Sequence, residues 1–323
     1  MTPPLRDSSG PAWLIWAGLG VVYLVWGSTY LAIRIMVETV PPLLGAGMRF
    51  LLAGVILLGV VGALRGARAL AIDRRSALSA LGVGFALTGA NAIITVAEQE
   101  VPSALAALLV ATVPLWVVLL RRGTGEAISR TTVVAVAAGF LGVAVLLRPG
   151  EQTDGASVLA LGIILFAALM WAVGSVASPR LPLPGNLFAS TGWQMLLGGG
   201  MWLLAGLATG EGADVDPATW SVGSVAAFGY LLGFGSLLAF TAYVWLLQHA
   251  PVSKVSTYAY VNPVVAIVLG VWVLDETITP GTLVGAAIIV VSVALVIKGE
   301  QRLRTGASRL RGQAAAAPSH GRP

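Results

Sequence analysis

The chain has 323 residues, 57% of them hydrophobic and only 10% charged, with a mean hydropathy of +0.88. A water-soluble domain carries about 25% charged residues, so this composition excludes an ordinary soluble fold. The net charge of +5 is spread between apolar runs, which argues against nucleic acid as a partner, and the absence of cysteine excludes disulfides and thiolate chemistry.

Residues 1–11 include Arg6 and Asp7 and lead into an apolar run with no A-x-A-like cleavage site, so the run is read as a retained span behind a cytoplasmic tail. A bilayer-crossing helix needs about 17–25 apolar residues. Ten runs qualify in chain order: Ala12–Ile33, Pro42–Leu64, Ser76–Ala97, Pro102–Leu120, Thr131–Leu147, Ala156–Ala177, Leu187–Leu207, Val222–Leu247, Val252–Leu274 and Pro280–Ile297. With both termini inside, sixteen of the nineteen Lys and Arg residues fall on the cytoplasmic side, two (Arg34 and Arg148) fall outside, and Arg49 lies within a span. That asymmetry is the positive-inside pattern of a multi-pass plasma-membrane protein. Residues 298–323 are basic, then Ala-rich, and are expected to be a disordered cytoplasmic tail whose arginines either are simply solvated or touch anionic lipid.

The two halves echo each other. Trp26, Gly47 and Arg49 precede Trp171, Gly192 and Gln194 by 145 positions; Pro102 and Pro114 precede Pro251 and Pro263 by 149; Glu126 precedes Glu276 by 150. The repeats are residues 12–147 and 156–297. Each holds five spans, and an odd number makes the second half enter from the opposite face. The expected fold is an all-α membrane protein: ten transmembrane helices as two inverted five-helix repeats around a central cavity.

The residues that could carry chemistry are few. There is no phosphate-binding loop, no H-E-x-x-H and no G-x-S-x-G, and the two histidines, His249 and His320, lie far apart. No catalytic residue, metal or cofactor is expected. Arg49, seven positions into the second run, is costly in lipid unless it faces water, a carboxylate or a ligand; it either anchors an anionic group or ties helices together. Thr88, Asn91, Thr95 and Glu98 fall on one helical stripe, either lining a cavity or bonding between helices. Gln194 repeats the Arg49 position without its charge. Trp26, Tyr30, Trp171, Tyr258, Tyr260 and Asn262 are candidates for cavity walls, the alternative being packing or an interfacial belt. Pro114 and Pro263 lie about twelve residues into their runs, where a missing N–H permits a kink and hence a gate. Gly229-x-x-x-Gly233 and Gly281-x-x-x-Gly285 are small-residue packing motifs, within one chain or across a homodimer.

The stretches Trp26–Arg34, Pro41-Pro42…Arg49-Phe50, Val96–Gln99 with Val101-Pro102-Ser103, Ser256–Val265 and Asp275-Glu276-Thr277 resemble the drug/metabolite transporter superfamily, and more closely its EamA-type members of the YedA-like branch. The resemblance runs from about Ala12 to Lys298. It implies a ten-helix basket with a central cavity and alternating access that exports, or moves in both directions, small metabolites such as amino acids, or amphipathic drugs. It places Glu126 and Glu276 as repeat markers that cap helix starts. The lysines that grip phosphate in related exchangers are missing, which argues against phosphorylated cargo.

On this reading the protein is a secondary carrier with a small-molecule solute and the lipid bilayer as partners, and protons as a candidate coupling ion. Arg49 and Glu98 would serve polar recognition or proton handling, Asn91 and Gln194 would orient cargo, and the aromatics would form the walls. The competing class is a non-transporting scaffold or intramembrane enzyme, which flux through liposomes containing only this protein would separate.

Overall fold

The computed structural model describes residues 11–126, 128–147, 156–250, 255 and 257–316. Arg6, Arg148, Pro251, Lys254, Ser256 and residues 317–323, all used above, lie outside them. No strand occurs among the described residues. The helices are α1 (Ala12–Met36), α2 (Pro42–Arg65), α3 (Arg74–Ala97), α4 (Ser103–Val110), α5 (Val113–Gly123), α6 (Arg130–Leu146), α7 (Val158–Ala177), α8 (Leu187–Ala208), α9 (Val222–Tyr230), α10 (Ala239–His249), α11 (Tyr258–Leu274) and α12 (Pro280–Ala316). A π-helical stretch, Leu231–Leu238, joins α9 to α10. Seven helical units are long and apolar enough to cross a membrane: α1, α2, α3, Ser103–Gly123, Val158–Arg180, Val222–Leu246 and Pro280–Gly299; α6 and α11 are apolar but shorter. Large side chains such as Leu64, Leu159, Val222 and Trp272 stand exposed on the outer surface, as lipid-facing residues do.

Local chemistry sets the helix starts. Asp73, Ser129, Ser157 and Ser221 each accept from the backbone N–H three residues on, and Asn186 accepts from Phe188 and Ala189. These side chains satisfy orphan first-turn donors. Two starts that follow proline lack a local cap and borrow one from far away in sequence. Glu211 accepts from Leu43 N (3.1 Å) and Leu44 N (2.9 Å) at the head of α2. Glu276 accepts from Ser103 N (2.7 Å) and Ala104 N (3.0 Å) at the head of α4. A carboxylate at a helix N-terminus also meets the positive end of the macrodipole.

Three runs differ from expectation. The fourth is broken at Ala111–Thr112, so that Pro114 sits in the first turn of α5; its ring and missing N–H disrupt the turn before it. Pro263, at the equivalent position, lies inside an unbroken α11, so the two prolines do not produce the same kink. The eighth run is not uniformly α-helical, because the π-helical stretch occupies its middle. The basic tail, expected to be disordered from residue 298, continues the helix to Ala316; its Ala, Arg, Leu and Gln are good helix formers.

The most extensive packing is between α2 and α8. A Cβ added to Gly47 would collide with the Leu203 backbone. One added to Gly54 would lie 2.5 Å from Leu196 N, one on Gly199 2.5 Å from Leu51 N, and one on Gly192 2.8 Å from the Leu58 side chain. The contacts run in opposite directions along the two helices and are reciprocal: Gly47 with Leu203 and Gly192 with Leu58, Gly54 with Leu196 and Gly199 with Leu51. Each member of a pair lies 145 positions from its counterpart. Elsewhere Gly285 lets α12 approach Leu146 of α6, whereas Gly229 and Gly233 face open space. The main core packs α1, α3, α4, α5, α6, α7, α9, α11 and α12 around buried residues such as Leu108, Leu115, Ile164 and Ile289.

Candidate functional site

The bundle holds a partly open cavity whose empty space, counted out into the solvent at its mouth, is about 1160 Å³. Residues of α1 to α5, α7, α8, the π-helical stretch, α10 and α11 line it. Arg49 is the single charged side chain among them, and only 4% of its surface is exposed. Its Nε donates to Ser236 Oγ at 2.9 Å, and its guanidinium carbon lies 4.6 Å from the centre of the Phe50 ring. No carboxylate among the described residues pairs with it. A buried guanidinium offers five donors in a planar fork, and here one of its nitrogens has a protein acceptor.

The π-helical stretch makes that contact. It carries Ser236 to Arg49 and presents the Gly235 carbonyl to Trp26 Nε1 at 3.2 Å. It also begins beside Tyr230, whose hydroxyl lies 2.7 Å from Ser28 Oγ. Inserted π turns recur at functional sites. Trp26 in turn packs on Tyr243 and Tyr258, with centroids 5.1 and 5.3 Å away, so the rings form one aromatic wall. Opposite chemistry comes from α3 and α8. Asn91 and Thr88 face the cavity from α3; Thr191 and Gln194 face it from α8, Gln194 Nε2 donating to Ser190 Oγ at 3.0 Å. Asn262 Oδ1, on α11, is buried at the lining without a hydrogen-bond partner. The arrangement can hold a small amphipathic molecule: one fixed positive group, several neutral donors and acceptors, and broad aromatic surfaces.

The structure gathers Trp26, Tyr30, Arg49, Asn91, Trp171, Gln194, Tyr258 and Asn262 around this cavity, together with Pro114 and Pro263. It does not bring Glu98 or Tyr260 there. The polar stripe of α3 leaves the cavity after Asn91: Thr95 Oγ1 bonds back to the Asn91 carbonyl at 2.8 Å, and Glu98 is enclosed beyond it. A stripe read from helical period follows the helix, while the cavity ends where α1 and α4 close over it. Sequence reasoning missed Ser236, Gly235, Thr191 and Phe240. Only the run Gly233-x-Gly235-Ser236 hinted at the first two, since small residues within a span mark an irregular turn.

The end of the bundle beyond Glu98 is sealed. Val101, Ser103, Leu105 and Met36 are buried there, and Glu276 ties the α11–α12 link to the head of α4. Glu126 has other partners than its repeat counterpart: Arg121 Nε donates to it at 2.8 Å and Arg180 Nη2 at 2.9 Å. The Arg121 hydrogen bond, with Arg180 adding to it, holds this carboxyl below the usual carboxylate range. Among the described residues no group of three or more His, Asp or Glu side chains is placed to hold a metal ion.

The profile of the EamA-like transporter family matches residues 12–148 and again residues 158–298. The chain is 38% identical over 288 residues to "Uncharacterized inner membrane transporter YedA" of Escherichia coli (strain K12), covering 88% of this chain and 91% of that protein. It is 25% identical to "Uncharacterized transporter YoaV" of Bacillus subtilis (strain 168), covering 84% and 92% respectively. A crystal structure of a protein 21% identical to it superimposes with a TM-score of 0.60, covering 91% of this chain and 99% of the other.

Proposed function

The chain belongs to the EamA-like transporter family, and from that premise we propose that it is a secondary carrier moving a small organic solute with an anionic group outward across the plasma membrane. The observation that carries the proposal is Arg49: a guanidinium buried in the cavity wall, held by Ser236 and without a carboxylate counter-charge among the described residues. A cargo carboxylate supplies the missing charge, and bidentate pairing suits a planar fork. The aromatic wall of Trp26 and Tyr258 takes the apolar part of the cargo, while Asn91, Gln194 and Asn262 orient its polar groups. A single cationic group is a weak grip for a phosphate ester, so amino acids and related carboxylates are favoured over phosphorylated cargo.

Movement follows from two inverted five-helix halves exposing the cavity to each side in turn. Support for the inversion lies in the α2–α8 pair, whose reciprocal antiparallel contacts require an axis running across the helices rather than along them. The broken Ser103–Gly123 unit and α11 then serve as the mobile walls.

The test is flux of carboxylate solutes into or out of liposomes containing only the purified protein. Amino acids, monocarboxylates, amines and cationic drugs are compared, with ligand-dependent thermal stabilisation as a second readout. Transport of carboxylates that R49A abolishes supports the proposal. Transport of cations alone, unaffected by R49A, refutes the charge assignment, and no flux of any solute favours the non-transporting alternative.

A further inference from the structure

Glu98 has no role in the cavity, yet it is the most enclosed ionisable group described. It closes α3 just beyond the span, none of its surface is exposed, and both carboxyl oxygens are buried without a hydrogen-bond partner. The ionisable groups within its electrostatic reach are Tyr30 and Arg34 of α1 and Glu276 of the α11–α12 link. Arg34 is committed elsewhere: its Nη1 donates to the backbone carbonyls of Glu98 and of Gln99, the latter at 2.6 Å. Glu276 is committed too, with both oxygens on the first N–H groups of α4. An ionised carboxylate without a donor is strongly disfavoured in an apolar interior, and a second carboxylate nearby disfavours it further. The sealed arrangement therefore requires the Glu98 proton to be present.

We propose that Glu98 is a proton-binding site that controls the seal at this end of the bundle, through the Glu276 latch on α4. With the proton bound, Glu98 is neutral and Glu276 keeps its hold on Ser103 N and Ala104 N. When a brief opening admits water and the Glu98 O–H proton passes to it as hydronium, two carboxylates are left close together; the Glu276 latch then does not re-close and the end stays open. One O–H bond breaks and one forms on water, and no other reagent takes part. Tyr30 lines the cavity and lies within electrostatic reach of Glu98, so a charged cargo against Tyr30 would couple electrostatically to the protonation state. The proposal rests on the carrier reading and adds the proton as the species that sets which end is shut.

The chain has no cysteine, so one introduced thiol reports on the seal. Ser103 is fully buried and its Oγ has no partner, which makes S103C a mild probe. Maleimide labelling of the full-length S103C protein in nanodiscs is followed from about pH 5 to about pH 9, a range in which buried carboxyls titrate. It is normalised to T219C, an exposed site, to remove the pH dependence of the thiol itself. The expected result is normalised labelling that rises about tenfold or more with pH, remains low throughout in S103C/E98Q, and is already high at acid pH in S103C/E276A. Unchanged labelling across pH, the same rise in E98Q, or protection in E276A each overturns the proposal. Should E98Q fail to fold, E98D is read instead: it keeps a titrating group, and loss of the rise there is equally fatal. Labelling needs no cargo, so a negative result leaves the carrier reading standing, and absence of flux leaves the proton site standing.

Discussion

Arg49 is held by one donated hydrogen bond and by its approach to the Phe50 ring, which leaves most of its donor capacity to the cavity. A hydrogen bond to a charged group contributes about 1.5–3 kcal/mol, and about 1.4 kcal/mol is a tenfold change in affinity. R49A should therefore weaken carboxylate binding by about 10- to 100-fold while the protein still purifies folded, which ligand-induced shifts in melting temperature will read. R49K should lie between, because an ammonium keeps the charge and loses the fork; full retention of affinity in R49A would remove the anion from the argument. Arg49 was legible in the sequence because a lone arginine in a span is so costly that it demands an explanation. Ser236 was not, because its meeting with Arg49 depends on an extra residue per turn that no regular period discloses. Glu98 was placed on the cavity stripe and lies beyond the cavity, because period-based reasoning knows the face of a helix and not the height at which the cavity stops.

At the scale of elements, apolar length marked where helices lie, seven of which are long and apolar enough to cross a membrane among the described residues. Glu276 was legible as a cap but the helix it caps was not, and Glu211 was not legible as a cap at all, since the two reach helix starts 167 to 173 positions away in sequence. The α2–α8 contact makes a sharp prediction. Gly54→Ala forces backbones apart and should cost about 1–3 kcal/mol, as overpacking does. Gly82→Ala, on α3 with open space around it, should stabilise by about 0.5–1 kcal/mol through helix propensity. Thermal unfolding in detergent compares the two, and equal effects would deny the close approach. The Glu126 tie between the end of α5 and Arg180 titrates with a defined sign. Its folded-state carboxyl is depressed, so its contribution is present above the ordinary carboxylate range and is lost as pH falls through the depressed value. E126Q should thus melt below the parent protein at about pH 7, with the gap narrowing as the pH falls below the ordinary carboxylate range.

For the whole molecule, the duplication was evident in the offsets of Trp, Gly and Pro, and the family profile matches once in each half. The positive-inside count predicts both termini in the cytoplasm, so a reporter fused after the last residue should be active only on that side. A signal from the opposite side of the membrane would count against an even number of spans and against the proposed inversion of the halves. The paired glycines of α2 and α8 also bear on how such a body can move. Where two backbones touch without side chains between them there is nothing to slide, and the reciprocity of the touching points balances the leverage of the halves. That crossing is a natural fulcrum: rocking about it would open one mouth as the other shuts, with its own contacts nearly untouched. Friction, and hence the slow step of any cycle, would then fall on the rim, where Glu276 grips the head of α4.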